Sequence, residues 1–159
     1  MTPPDDVYTH GHHDSVLRSH RWRTIDNSAA YVEAEFVPGA SVLDVGCGPG
    51  TITLEIAKRV TPGRVVGLDR SDEVIAAAVA DASDAAVTNL EYRVGDVYSL
   101  DFPDDSFDVV HAHQVLQHLS DPVAALVEMR RVCRPGGIVA ARDSDYSAKT
   151  WFPAVGELD

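Results

Sequence analysis

Along this chain the apolar positions change rhythm several times, and each change marks an element. Trp22, Ile25, Ala29, Val32 and Phe36 recur at spacings of three and four, which predicts a helix with one buried face, stopped by Pro38-Gly39. Residues 41–45 form a short aliphatic run that ends in glycines, the signature of a buried strand. A helix is predicted over 51–60, with Ile52, Ile56, Ala57 and Val60 on its inner face. Residues 64–68 read as the next strand. Ser71 then caps a second helix, with Asp72 and Glu73 in its first turn and Val74, Ile75, Ala78, Val79 and Ala82 as its stripe. Further strands are predicted at 91–94 and 107–112. Asp121 and Pro122 open a last helix whose inward residues are Val123, Leu126 and Val127. Arg130, Arg131 and Arg134 gather at its end, Pro135-Gly136-Gly137 stops it, and residues 138–141 give a fifth strand. Strand and helix alternate throughout. The fold class is therefore α/β, a doubly wound parallel sheet with helices on both faces.

Composition narrows what such a sheet could serve. The chain has 159 residues, 25 acidic and 13 basic side chains, and a formal charge of -12. That surface repels phosphate backbones and anionic lipids, so neither a nucleic-acid nor a membrane partner is expected. The two cysteines, Cys47 and Cys133, form no CxxC pair, which fits a reducing, cytoplasmic setting. Cys47 reads as small filling of a turn and Cys133 as helix core.

The candidate chemistry sits where ligands bind in open α/β sheets, beyond the carboxyl ends of the strands. The first strand runs into Asp44-Val45-Gly46-Cys47-Gly48-Pro49-Gly50, and the helix starting near Thr51 aims its amides at whatever the turn holds. Asp69 ends the second strand, where a carboxylate accepts hydrogen bonds from ribose hydroxyls. A dinucleotide fingerprint counted from Gly46 would need glycine at position 51, which is threonine, so a nicotinamide-dependent oxidoreductase is the lesser reading.

The histidines are ambiguous. His10, His12 and His13 cluster without a matched carboxylate, and no metal site is assigned. His111 and His113 share one face of the fourth strand. His118 either satisfies a loop carbonyl or serves as a base for a substrate hydroxyl, thiol or acidic carbon. Asp101, Asp104, Asp105 and Asp108 read as a solvated loop.

Taken in order, these segments resemble the class I S-adenosylmethionine-dependent methyltransferases, in the small-molecule branch related to ubiquinone and menaquinone biosynthesis. The matching segments are VLDVGCGPGT at 42–51, VVGLDRS at 65–71, Gly95-Asp96-Val97, Phe102-Pro103 through Asp108-Val109-Val110, Val115-Leu116-Gln117-His118-Leu119 and Arg134-Pro135-Gly136-Gly137. The resemblance implies S-adenosyl-L-methionine as cofactor, S-adenosyl-L-homocysteine as its product, and a small-molecule methyl acceptor. It implies that Asp44, Gly46, Cys47, Gly48, Gly50 and Thr51 pass the methionyl part, and that Asp69 and Arg70 lie at the ribose. Asp96 and Val97 would meet the adenine, and His113 and Gln114 would lie near the methionyl amine.

The resemblance also implies an N-terminal helical lid over residues 1–38, a Rossmann-like core over 39–146 and a tail over 147–159. Tyr8, His12, His20 and Arg23 are lid candidates, with Asp143 on the acceptor side. The implied strand order is 3-2-1-4-5-7-6, and the tail SDYSAKTWFPAVGELD carries neither strand six nor strand seven. Read that way, the chain is a fragment of a longer enzyme that either self-associates as a homodimer through the edge of strand five or is unstable, with methyl transfer weak or absent. A cofactor-binding but non-catalytic protein is the further alternative.

Overall fold

A computed structural model describes residues 22–145 of the chain. Five parallel strands form one sheet: β1 (Val42–Val45), β2 (Val65–Asp69), β3 (Leu90–Val94), β4 (Phe107–His113) and β5 (Cys133–Arg142), in the order β3-β2-β1-β4-β5. Helices α1 (Thr51–Val60), α2 (Asp72–Ala82) and α3 (Pro122–Val132) make the crossovers. The order reverses on either side of β1. That reversal opens a crevice at the carboxyl edge between β1 and β4, where loops leave in opposite directions.

Two cores flank the sheet. Alternation along β1 sends Leu43 and Val45 to one side and Val42 and Asp44 to the other. On the first side Ala125, Met129 and Val132 of α3 pack with Phe107, Val110 and Ala112 of β4. On the second, Ile52, Ile56, Ala57 and Val60 of α1 meet Val42, Val65, Val109 and Ala140. The N-terminal segment closes this second core with Ile25, Ala29, Val32 and Phe36. Among the described residues no helix is long and apolar enough to cross a membrane.

That N-terminal segment is helical, but not in the predicted form. Ile25–Ala29 wind as a π-turn and Ala30–Glu35 as a 3₁₀ helix. Thr24 and Asn27 cap each other reciprocally at its start, Ile25 N donates to Glu55 of α1 at 2.7 Å, and Arg142 donates to the carbonyls of Asn27 and Ser28. Arg142 thus competes for carbonyls that an α-ladder would use. Trp22 does not join the buried face; it is 83% exposed.

The capping residues are as predicted: Ser71 accepts from Val74 N, and Asp121 from Ala124 N with Pro122 in the first turn. The inner face of α3 is not. Val123 and Val127 are exposed and Leu126 is half-buried, while Ala125, Met129 and Val132 face the sheet. Two apolar phases share this helix, and only the second has the i, i+4, i+7 run that meets β4. Val79 of α2 is likewise exposed.

The end of α3 also differs. The helix stops at Val132, and β5 begins at once with Cys133 and absorbs Pro135-Gly136-Gly137, so Cys133 belongs to the strand and not the helix. Asp108 is no solvated loop residue: it lies in β4, accepts from Ser41 N at 2.7 Å and pairs with Arg134. The Ser41 amide first, and then the Arg134 guanidinium, hold its carboxyl below the usual range against the opposing effect of burial. Asp104 pairs with Arg131, whose guanidinium also donates to the carbonyls of Leu100 and Phe102 and so pins that loop to α3.

The corrected phase of α3 is open to test. Met129→Ala removes a fully buried side chain and is expected to cost about 2–5 kcal/mol in urea unfolding, whereas exposed Val127→Ala should stay within about 0.5 kcal/mol.

Candidate functional site

A cavity of about 330 Å³ lies at the carboxyl ends of β1, β2 and β4. That volume is within the range of small-ligand sites. Its floor is the turn from β1 into α1. Gly48 has φ +54°, and a Cβ built there would meet nothing within 4 Å, so this stretch of backbone faces open space that a side chain would fill. Gly50 serves a different need. Its φ is +77°, and its carbonyl accepts from the Tyr92 hydroxyl at 3.1 Å, against which a Cβ would collide. Gly50 does not line the cavity; it shapes the turn and leads α1 without a side-chain cap.

Two carboxylates frame the floor. Asp69, at the end of β2, accepts from Gly48 N at 3.1 Å on one oxygen and from Ser71 N at 3.1 Å on the other. Each oxygen keeps acceptor capacity for a ligand. Asp44 is buried on β1, with Oδ1 2.7 Å from His111 Nδ1 and Oδ2 accepting from the Thr53 hydroxyl at 2.6 Å. The β1–β4 register puts Asp44 and His111 side by side, on the face they share by alternation.

The predicted site residues Asp44, Gly46, Cys47, Gly48, Thr51, Asp69, Arg70, Val97, His113, Gln114, His118 and Arg23 all line this cavity. Asp96 does not. It is exposed, with one oxygen accepting from Tyr98 N, while its neighbours Gly95 and Val97 form the wall. Nor does Asp143, which instead accepts from Gln117 N at 3.1 Å and ties the exit of β5 to the turn at Leu116–His118. Tyr8, His12 and His20 lie outside the described residues, as do His10 and His13. Among the described residues no group of three or more His, Cys, Asp or Glu is placed to hold a metal.

Sequence reasoning missed the apolar walls, Ile52, Leu68, Val74, Val115 and Leu119, and the buried support of Thr53 and His111. The sharing of a face by His111 and His113 was the available signal for the latter.

Burial shapes the chemistry of the lining. It pushes the Cys47 thiol well up, with the Asp44 and Asp69 carboxylates adding to the effect, so Cys47 stays a neutral filler. Tyr31, whose ring lies 6.2 Å from that of His111, is pushed up to about 12 by burial and then by Asp44. His113 moves the other way, to about 4, through burial first and then the charges of the Arg23 and Arg142 guanidinium groups. It is a neutral imidazole at pH 7.

A methyltransferase-domain family matches residues 36–158. The chain belongs to the class I S-adenosylmethionine-dependent methyltransferases. It is 38% identical, over its whole length, to a protein of Schizosaccharomyces pombe described as uncharacterized methyltransferase C1B3.06c, and covers 60% of that relative. Against the demethylmenaquinone methyltransferase of Lactococcus lactis it is 36% identical over 76% of the chain and 48% of the relative. The chain thus spans only about half the length of the curated relatives it matches. A solved structure of a SAM dependent methyltransferase from Aquifex aeolicus has the same fold, with a TM-score of 0.73 over 88% of this chain and 77% of that one at 24% identity.

His113 gives a direct check on the site's electrostatics. Its ring protons, followed by NMR, should titrate near pH 4 and not 6.5. The unfolded chain takes up that proton below pH 6.5 while the folded one refuses it, so this group lowers stability as pH falls from 6.5 toward 4. His113→Gln should remove that part of the slope.

Proposed function

We propose that the chain forms the cofactor-binding part of a methyltransferase that uses S-adenosyl-L-methionine to methylate a small molecule. The observation that carries this reading is the bond from Gly48 N to Asp69, which presents the bare glycine backbone and a ribose-binding carboxylate to one cavity. The residues fit the cofactor in kind. Asp69 accepts from the ribose hydroxyls, Gly48 gives the methionyl chain room, and Gly95 and Val97 bound the adenine together with Leu68 and Val74. Arg23 and Gln114, joined at 3.0 Å, stand at the methionyl end.

When bound, the cofactor supplies a sulfonium methyl group open to in-line displacement. The chain's own share is to hold and shield. Apolar walls exclude water from the methyl, and the rigid β1 and β4 ends align the acceptor, so proximity carries much of the rate. His118 lines the cavity with Nε2 3.1 Å from the Gln117 amide nitrogen, which supports a hydrogen-bonding role at the acceptor end.

The surface charge of -12 supports a small-molecule acceptor over a nucleic acid. Among the described residues the outer side of β5 pairs with no strand, which supports association of two copies along that edge.

Titration calorimetry decides between nucleotides. S-adenosylmethionine and S-adenosylhomocysteine should bind, and NAD should not; the reverse order would return the oxidoreductase reading. Asp69→Ala is expected to weaken S-adenosylhomocysteine binding by about 1.5–3 kcal/mol. Gly48→Val should abolish it with the circular dichroism spectrum retained, because two methyls would then occupy the space the ligand needs.

A further inference from the structure

One register row crosses four strands beneath the glycine turn. Tyr92 of β3 lies beside Gly67 of β2, Gly67 beside Asp44 of β1, and Asp44 beside His111 of β4. Parallel neighbours in register share a face, so these three side chains stand on the side of the sheet that α1 covers. Gly67 leaves a gap in the row. A Cβ built there would fall 2.6 Å from Cδ1 and 2.7 Å from Cε1 of Tyr92, and 3.0 Å from Cγ2 of Thr53. The Gly67 backbone is not left-handed, so its missing side chain serves space and not φ. A glycine inside a strand weakens it, and close approach by another group is one reason for such a residue. Here the approaching group is the Tyr92 ring.

The gap lets Tyr92 lean over β2 toward the start of α1. Its hydroxyl donates to the Gly50 carbonyl at 3.1 Å, on the same oxygen that accepts from Leu54 N at 2.9 Å. Burial, the largest cause, pushes the hydroxyl pKa up, so it keeps the proton it donates. Gly50 brings no side chain to cap α1, and the hold on this end of the helix comes from outside it. The Gly50 carbonyl and the Thr51 N–H belong to one planar trans peptide and point in opposite directions. Fixing the carbonyl on Tyr92 therefore fixes the other side of that peptide, at Thr51, which borders the cavity. Tyr92 itself does not line the cavity.

We propose that Tyr92 is a positioning residue for the cofactor: its hydroxyl, reaching across Gly67, fixes the Gly50–Thr51 peptide at the cavity edge and so tightens binding. The inference rests on the methyltransferase reading, which puts a cofactor against that turn. The turn is then held from two strands. Asp69 of β2 takes the Gly48 amide on the ligand side, and Tyr92 of β3 takes the Gly50 carbonyl from behind. A turn ordered in advance leaves less ordering to be done at the expense of binding energy.

The test measures S-adenosylhomocysteine binding to the full chain by calorimetry, beside stability in urea. Tyr92→Phe keeps the ring and removes the hydroxyl. It is expected to raise Kd about three- to tenfold, the size of one neutral hydrogen bond. Asn89→Ala is the control for a tie that is structural alone. Asn89 precedes β3 and donates to the carbonyls of Ala57 and Gly63 at the far end of α1, at 2.9 and 2.6 Å. Its loss should lower the urea midpoint and leave Kd unchanged. Gly67→Ala, which forces the ring aside, approaches the same contact from β2 and should raise Kd as well. An unchanged Kd in either folded variant, Tyr92→Phe or Gly67→Ala, would overturn the inference. So would a rise in Kd that Asn89→Ala matches, because the effect would then be a general loosening of α1. An unaltered chain that fails to bind S-adenosylhomocysteine would bring down the cofactor reading first, and this inference with it.

Discussion

A carboxylate buried in the centre of a sheet is tolerated only if its oxygens are satisfied, and Asp44 sets that condition for the whole carboxyl edge. His111 and Thr53 meet it from β4 and from the first turn of α1, at 2.7 and 2.6 Å. The three elements that bound the crevice are therefore joined at one point beneath it. Shifting β4 by one residue would replace His111 with a side chain on the opposite face and leave Asp44 without that partner. The register that aligns Val109 with Val42 in the apolar core thus serves the polar contact as well.

Above that point, the turn from β1 closes against β2 through the same kind of contact. Asp69 accepts from the amides of Gly48 and Ser71, so one side chain fixes both the ligand-facing backbone and the start of α2. The cavity is preorganised by these two acids before any ligand arrives. Preorganisation matters because a flexible turn would have to be ordered at the expense of binding energy. The Gln117–Asp143–Ser144 contacts do comparable work on the far side, holding the turn that carries His118 to the exit of β5.

Most of the strands and the three long helices were legible because their signals are local. Ser71, Asp121 and Pro122 announce helix starts by their own chemistry, and the glycine turn marks itself. Misreadings fell where tertiary contacts choose between local alternatives. Val123 and Val127 are as apolar as Met129 and Val132, and only packing against β4 selects the second pair. Pro135-Gly136-Gly137 is a plausible helix stop, yet β5 takes it up because pairing with β4 starts at Cys133. At the site, sequence order placed the turn and Asp69 within reach of each other. It carried no information on Thr53, whose hydroxyl meets Asp44 only because α1 folds back across β1. Gly95, Asp96 and Val97 show the same limit: three consecutive residues, of which the outer two line the cavity and the middle one does not.

The arginines divide along the same line between scaffold and site. Arg59, Arg64, Arg131 and Arg134 each pair with a carboxylate on the outer surface or at a loop junction. Arg131 ties α3 to the acidic loop that precedes β4, and Arg134 joins β5 to Asp108 of β4. Arg23 reaches the Gln114 side chain, and Arg142 bonds to backbone carbonyls, which orient its guanidinium without neutralising it. Both lie by the N-terminal segment, and both weigh on His113. The segment that closes the apolar core thus also keeps one of these charges seated, through the carbonyls of Asn27 and Ser28. Burial and charge at His113 then share a structural origin: the packing of Ile25, Ala29, Val32 and Phe36 fixes the carbonyls that hold Arg142 beside it.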